Sequence, residues 1–184
     1  MTLRGDAQQV LASWSAPDAE QERLRLVYLD HLAEHADAMS RQCRPDHLTA
    51  SLLIVSADHS QVLLTLHRIV KRWLQTGGHC EPSDASLVDA ALREGREEGG
   101  IHDLAVDPDP VLLSLHEVPS CGPIGPSHHL DVQYVGVAPS GARAVISDES
   151  DDLAWFDIDD LPAATDQSVR DLTAAATRRL RGSP

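Results

Sequence analysis

The pattern of hydrophobic and polar positions predicts helices at the start of the chain. Residues 7–16 and 18–42 carry apolar side chains grouped among charged ones at helical spacing, as on amphipathic helices. Pro45 then interrupts the pattern. We therefore expect an N-terminal helical extension over residues 1–46.

After this extension, short apolar runs alternate with helical segments. Pro, Gly, Asp and Ser residues bound most of the runs, as they bound strands in sheets. Strands are expected at residues 48–57, 61–68, 111–118, 128–138 and from residue 152, and helices at residues 86–98 and 164–180. This order predicts an α/β sandwich with a mixed sheet over residues 47–184.

Composition and charge narrow the class of partner. The chain has 184 residues, of which 42% are hydrophobic, enough for one sizeable core. Its formal net charge of −14 disfavours non-specific binding to phosphate backbones, so we expect no nucleic-acid partner. A small anionic substrate stays compatible if a metal or local basic residues offset the field. Arg68, Lys71 and Arg72 offer either such a basic lip or solvated loop charges.

Cysteine usage and the N-terminal residues bear on location. Cys43, Cys80 and Cys121 are odd in number and lack CxxC spacing, which favours reduced thiols over a disulfide framework or a zinc cluster. The N-terminus has no apolar signal core, and no run reaches the length of a membrane span. A cytoplasmic protein with no membrane partner is expected.

Local signals delimit the helix near residue 90. Ser83 or Asp84 is the expected N-cap, and Gly99 and Gly100 supply the C-terminal stop. Val88 and Leu92 fall on one side and are expected to face the core.

Three carboxylates at the end of this helix carry the main chemical signal. Glu94, Glu97 and Glu98 project within roughly a third of a turn of one another. Like charges at these spacings repel by a few tenths of a kcal/mol, roughly, and they face the negative end of the helix macrodipole. A bound divalent cation would reverse both penalties, whereas an ordinary solvated helix face would leave them in place.

The residues around these glutamates form a longer motif. Residues 77–101, GGHCEPSDASLVDAALREGREEGGI, resemble the Nudix box, in which a Gly and an acid precede the block R-E-U-x-E-E-x-G-U (U apolar). The upstream Trp-containing segment and the later WFDIDDLP extend the resemblance over about residues 48–180. The matching positions of the box are Gly78, Asp84, Arg93, Glu94, Glu97, Glu98, Gly100 and Ile101.

The box departs from the family pattern at a few positions. Asp84 stands in place of the usual Glu, and one residue more than usual separates it from Arg93. Ser83 stands where Gly is common, and Gly95 occupies an apolar position, where it weakens a helix by up to about 1 kcal/mol relative to Ala. These departures leave the role of Asp84 open and keep every glutamate of the core block.

The resemblance implies both a fold and a reaction. Nudix enzymes hydrolyse a nucleoside diphosphate linked to another moiety, by attack of water at phosphorus. We therefore expect a Nudix-like α/β/α sandwich, a hydrolase acting on a phosphoric anhydride bond, and a small-molecule nucleoside diphosphate derivative as substrate. Mg²⁺ (or Mn²⁺) is the implied cofactor, since divalent ions neutralise phosphate charge and activate water.

Residue roles follow from the same resemblance. Gly78, through its backbone carbonyl, and Glu94, Glu97 and Glu98 form the expected metal site. Glu94 also orients or deprotonates the water, and Arg93 holds a glutamate by a charge-assisted bond. The expected catalytic set is thus Arg93 with the three glutamates.

Several other residues have both a chemical and a structural interpretation. Family members differ in where the base lies, so Glu117 or Glu149 is an alternative general base. In SHHLDVQY, residues 128, 129 and 131 could approach a substrate or metal, or be structural. Alternation on a strand puts His129 and Asp131 on one face and His128 on the other.

Four further features are expected to be structural. Cys80 lacks a paired thiol and suits an ordinary loop position. Trp73 and Trp155 suit packing better than base stacking. The acidic run is a solvated loop or a second metal contact; its members are Asp148, Glu149, Asp151 and Asp152.

Three functions are compatible with these residues. The first is a metal-dependent pyrophosphohydrolase; the second is a non-hydrolytic Nudix-like module that senses a nucleotide; the third is an acidic interaction domain. Erosion of the glutamates is the mark expected of a sensor, and the block here is intact. The N-terminal helices could cap the domain or form a homodimer surface, and the loops outside the box select no particular substrate.

Overall fold

The computed structural model describes residues 1–118, 121, 126–148 and 150–182. None of the helices in this part of the chain combines the length and apolar composition needed to cross a membrane. The helices are α1 (Leu3–Ser13), α2 (Ala19–Glu34), α3 (Leu87–Gly99) and α4 (Gln167–Gly182). The strands are β1 (His47–Val55), β2 (Gln61–His67), β3 (Trp73–Leu74), β4 (Thr76–His79), β5 (Ala105–Val106), β6 (Leu112–Val118), β7 (Ser127–Val137) and β8 (Ser150–Asp157).

Strand β1 lies at the centre of one mixed sheet. It pairs antiparallel with β2 and β4, and parallel with β7 along its whole length. Strands β3 and β8 pair with β2, and β5 and β6 pair with β7, all antiparallel. Every residue of β1 is buried, as expected of a strand covered on both faces.

Helices cover both faces of this sheet. Alternation along β1 sends Leu52 and Ile54 to one face, where they join a core cluster with Ala90 of α3. Leu53 goes to the other face and packs in a second cluster with Val169 of α4. The predicted α/β sandwich with a mixed sheet is therefore confirmed.

The N-terminal helices pack on the same face of the sheet as α3. Trp14 donates its indole N–H to the carbonyl of Pro110 at 2.8 Å. The Gln21 amide exchanges two hydrogen bonds with the backbone of Leu113, at 3.0 Å and 2.7 Å. These bonds satisfy buried polar groups at the helix–strand contact. The division of the chain into residues 1–46 and 47–184 stays a prediction.

Several predicted limits were wrong. Helix α2 ends at Glu34 rather than residue 42, and the final helix begins at Gln167 rather than residue 164. Residues 76–79, which lie outside the expected strands and helices, form β4 because they pair with β1; Thr76 also donates its hydroxyl to the Leu52 carbonyl at 2.7 Å. Strand pairing overrides the low strand propensity of glycine here.

Helix α3 approaches β1 closely at Gly95. A Cβ built on Gly95 would lie 2.5 Å from Leu52 Cδ2, so the absence of a side chain sets the distance between helix and strand. Gly95 lowers the helix propensity of α3, but the close packing against Leu52 requires a residue without a side chain there. It lies on the buried face of α3 together with Leu87, Ala90, Ala91 and Gly99.

We expect Gly95→Ala and Leu52→Ala to be strongly non-additive. Alone, Gly95→Ala overpacks the contact and should lower the free energy of unfolding by about 1–3 kcal/mol. In the Leu52→Ala background the new methyl group enters vacated space and gains helix propensity, so it should raise that free energy. Urea unfolding of the double-mutant cycle measures the coupling.

Gly182→Ala is the matched control, because a Cβ there meets nothing within 4 Å. It should leave stability unchanged or slightly raised. If Gly95→Ala cost the same with and without the Leu52→Ala substitution, this contact would not set the helix position.

Candidate active site

Helix α3 has well-formed ends. Its N-cap is Ser86, whose hydroxyl accepts from the Asp89 N–H at 3.1 Å, so the predicted caps at Ser83 or Asp84 were wrong. The Leu87 N–H is bound by the Asp6 carboxylate of α1 at 2.8 Å. At the other end Gly100, with φ of 67°, forms the left-handed cap as predicted.

The side of α3 that faces the core differs from the prediction. Val88 and Leu92 are only half-buried, and Val88 packs at the edge of the cluster. The small residues take the buried positions because the helix lies so close to β1. This close approach brings the polar side of the C-terminal half against β4.

Two of the three glutamates contact the glycines of β4. Glu94 lies over Gly78, where a built Cβ would be 2.6 Å from Glu94 Oε1. Glu98 accepts a hydrogen bond from the Gly77 N–H at 3.0 Å. The Glu97 side chain is 60% exposed. The predicted site residues Gly78, Glu94 and Glu98 thus meet at the β4–α3 contact, with Glu97 at its solvent edge.

Arg93 connects these carboxylates. Its Nη1 donates to Glu94 Oε1 at 2.9 Å and to Glu97 Oε2 at 3.1 Å. Its Nη2 donates to the backbone carbonyl of His79 at 2.9 Å. The hydrogen bonds to Asp84, and then those to Glu94, hold the pKa of Arg93 well above its usual range. Arg93 therefore positions two glutamates, one more than expected.

Asp84 anchors the Arg93 guanidinium from the opposite side. Its two carboxylate oxygens accept from Arg93 Nε at 3.0 Å and Nη2 at 3.1 Å, a bidentate pair. Asp84 also accepts from the Glu81 N–H at 2.7 Å, and its side chain is only 5% exposed. The extra residue between Asp84 and Arg93 therefore does not prevent their contact.

The donor set at this contact suits a hard divalent cation. Three carboxylates beside a glycine backbone offer the oxygen ligands that Mg²⁺ prefers. The three glutamates are not gathered around one point, since no choice of one oxygen from each of Glu94, Glu97 and Glu98 puts all three atoms within 4.8 Å of one another. Arg93 instead carries the balancing charge between Glu94 and Glu97.

The side chains of SHHLDVQY alternate between the two faces of β7, as predicted. The buried Asp131 carboxylate accepts from Thr49 Oγ1 at 2.9 Å and from Ser51 Oγ at 2.7 Å. Exposed His128 lies 3.0 Å from Asp46. His129 instead lies in a group of three histidines and one cysteine whose ligand atoms are within 4.8 Å of one another. Asp131 and His128 thus have structural partners.

The remaining candidates have mainly structural contacts. Burial raises the pKa of the Cys80 thiol to about 12, so Cys80 is not a nucleophile. Arg68 and Lys71 pair with Asp151 of the acidic run. Trp73 packs edge-on against Phe156 with ring centroids 4.7 Å apart.

Trp155 packs against the first core cluster. Glu117 is exposed on β6, and Arg72 is exposed beside β3. Glu149, the other alternative base, lies outside the described residues.

Comparison with known proteins identifies the family to which this fold and site belong. The sequence model of the NUDIX domain matches residues 45–176, most of the chain. The chain therefore belongs to the Nudix family, and the prediction of a Nudix-type hydrolase is confirmed at this level. No curated protein gave a significant match.

Solved structures share the fold at low sequence identity. A NUDIX-family hydrolase from Clostridium perfringens is 23% identical, with a TM-score of 0.59 over 73% of this chain and 97% of that one. A C. elegans Ap4A hydrolase in a binary complex is 18% identical, with a TM-score of 0.60 over 74% and 98%. The NUDIX domain of Shewanella oneidensis NrtR, complexed with ADP ribose, is 20% identical, with a TM-score of 0.58 over 82% and 97%.

We expect Asp84→Asn to destabilise the protein. The change removes the charge that balances Arg93 in a largely buried pair, so the free energy of unfolding should fall by about 2–4 kcal/mol. Thermal and urea unfolding measure it. The matched control is Glu20→Gln, which breaks the exposed ion pair with Arg23 and should change nothing measurable. Equal, small effects of both changes would contradict an anchoring role for Asp84.

Proposed function

We propose that this chain is a metal-dependent pyrophosphohydrolase. Its substrate is a nucleoside diphosphate linked to another moiety, and water attacks phosphorus to break a phosphoric anhydride bond. The observation that carries this proposal is the intact glutamate block of α3, with Glu94 and Glu98 packed on Gly78 and Gly77 of β4.

A cation explains what a purely structural block would not. Three acidic side chains at the negative end of a helix oppose the macrodipole, and Arg93 offsets only part of their charge. Mg²⁺ or Mn²⁺ would be held by Glu94, Glu97, Glu98 and the backbone of Gly78. When bound, it supplies neutralisation of phosphate charge and activation of water.

The protein residues then orient the reacting groups. Arg93 fixes the carboxylates of Glu94 and Glu97 by charge-assisted hydrogen bonds. Asp84 fixes Arg93, so the arrangement is set before substrate arrives. Glu94, held against Gly78, orients or deprotonates the water; Glu117 and Glu149 are the alternative bases.

The class of substrate follows from the family and its relatives. Proteins of similar fold include an Ap4A hydrolase and a NUDIX domain complexed with ADP ribose. Ap4A and ADP ribose are both nucleotide derivatives. We propose a small nucleotide-derived substrate for this chain, a homodimer as its assembly, and a cytoplasmic location in keeping with three free cysteines.

The competing function is a sensor that binds a nucleotide without hydrolysing it. The NrtR NUDIX domain complexed with ADP ribose shares the fold. The undamaged glutamate block of this chain favours hydrolysis over sensing. Turnover, rather than binding, separates the two.

The test is release of phosphate or AMP from a panel of nucleoside diphosphate derivatives, with Mg²⁺ or Mn²⁺. Glu97→Gln and Glu98→Gln should each lower kcat/KM more than about 100-fold, because loss of a metal ligand removes several kcal/mol of transition-state stabilisation. Glu34→Gln at the exposed end of α2 is the control and should keep full activity.

Two results would count against hydrolysis. One is no turnover across the panel while ligands still raise Tm, which would favour the sensor. The other is turnover that survives both glutamine substitutions and excess chelator.

The role of Glu94 has its own test. If Glu94 handles the water proton, Glu94→Gln should lower kcat about 100-fold or more and flatten the acid limb of the pH–rate profile. Glu117→Gln should leave that limb unchanged. If the acid limb were lost in Glu117→Gln and kept in Glu94→Gln, the general base would be Glu117 of β6 rather than Glu94.

A further inference from the structure

Three histidines and one cysteine gather on the sheet face opposite α3. They form the His3Cys group, which comprises His47 of β1, His79 of β4, His129 of β7 and Cys121 before β7. One ligand atom from each residue lies within 4.8 Å of every other. The residues come from four separate parts of the sequence.

The distances within the group match tetrahedral coordination. Cys121 Sγ lies 3.3 Å from His79 Nε2, 3.7 Å from His47 Nε2 and 3.8 Å from His129 Nε2. Bonds of about 2.3 Å to sulfur and about 2.05 Å to nitrogen place S and N about 3.6 Å apart in a tetrahedral zinc site. All three imidazoles direct Nε2 at the same sulfur.

Sheet pairing builds this arrangement. His47 and His129 are direct partners in the β1–β7 ladder, and His79 pairs with Thr49, two residues along β1. Their side chains therefore share one face. The ring centroids of His47, His79 and His129 lie 4.9–5.1 Å apart.

His47 is costly without a ligand. Its side chain is fully buried, and its Nδ1 has no hydrogen-bond partner within the described part of the chain. A buried polar ring with so little hydrogen bonding loses solvation without compensation. A metal–nitrogen bond at Nε2, the atom that faces Cys121 Sγ, would offset part of this cost of burying the ring.

Protons do not compete with a metal for the imidazoles of the group. Burial lowers the pKa of His129 to about 3 and that of His79 to about 4, and it also lowers the pKa of His47. The rings are therefore neutral at neutral pH, with lone pairs available for coordination. The ring of His116, on β6, lies 5.5 Å from that of His129.

This group is distinct from the glutamate site. In β4, Gly78 faces Glu94 of α3, and the adjacent His79 points to the other face. The ligands are also of different chemistry: imidazole and thiolate suit Zn²⁺, whereas carboxylates suit Mg²⁺.

We propose that His47, His79, Cys121 and His129 bind one Zn²⁺ in a closed, structural site. The Cys121 thiol loses its proton to solvent as the Zn–S bond forms, and the three imidazoles coordinate through Nε2. With four protein ligands no position is left for water, so the ion is not catalytic. It joins β1, β4 and β7 to Cys121 and stabilises the end of β4 next to Gly78.

Metal binding by the full chain tests the proposal. Protein freed of metal by chelation is titrated with Co²⁺, which reports a tetrahedral thiolate site through strong visible bands and a sulfur-to-metal charge-transfer band. Zn²⁺ should then displace Co²⁺ at about one equivalent and raise Tm by mass action. Mg²⁺ should leave the Co²⁺ spectrum unchanged, because it prefers oxygen ligands.

Two sets of variants assign the ligands. A Cys43→Ser/Cys80→Ala double variant keeps Cys121 as its sole cysteine, and it should retain the charge-transfer band. Cys121→Ser and His129→Gln should lose the band and bind Zn²⁺ at least about 100-fold more weakly. Glu97→Gln and Glu98→Gln should bind Zn²⁺ as the unaltered protein does.

The proposal is overturned by several outcomes. These are no tetrahedral Co²⁺ spectrum in the unaltered protein, loss of the band in the double variant, and a band that persists in Cys121→Ser. The double variant keeps every proposed ligand, so its result stands even if Cys121→Ser does not fold.

Discussion

Close packing of α3 on β1 and β4 is the constraint on which the site depends. Gly95 lets the helix axis approach Leu52, and the small residues of its buried face keep that distance along the helix. Only at this distance can Glu94 lie on Gly78 and Glu98 reach the Gly77 N–H. A bulkier helix face would lift the glutamates from the backbone that completes their site.

Strand β4 serves both faces of the sheet. One residue, Gly78, faces the glutamates, and the next, His79, faces the His3Cys group while its carbonyl accepts from Arg93. A structural ion at His79 would therefore restrain the backbone that carries Gly78. The end of β4 would thus connect metal binding at the His3Cys group to the position of Gly78 at the glutamate site.

The sequence predicted the features that depend on local spacing. The α/β class, the long strands, the glycine stop at residue 100 and the Nudix family all follow from short-range patterns. The N-cap at Ser86 and strand β4 were missed because loop geometry and pairing with β1 decide them. The bidentate role of Asp84 needed the loop conformation, which the one-residue departure from the motif obscured.

The His3Cys group could not be predicted from the spacing of cysteines in the sequence. The three cysteines lack CxxC spacing, which disfavours a zinc cluster built from cysteines close in sequence but not a ligand set that the fold brings together. The cue within the sequence is HHLD in a strand. Strand register brings His47 and His79 to His129, and the contact of Cys121 with these rings is known only from the structure.

Mn²⁺ binding measured by electron paramagnetic resonance tests the glutamate site most directly. The predicted result is one Mn²⁺ site that is lost in Glu98→Gln and kept in Cys121→Ser. Undiminished Mn²⁺ binding in Glu98→Gln would contradict the account.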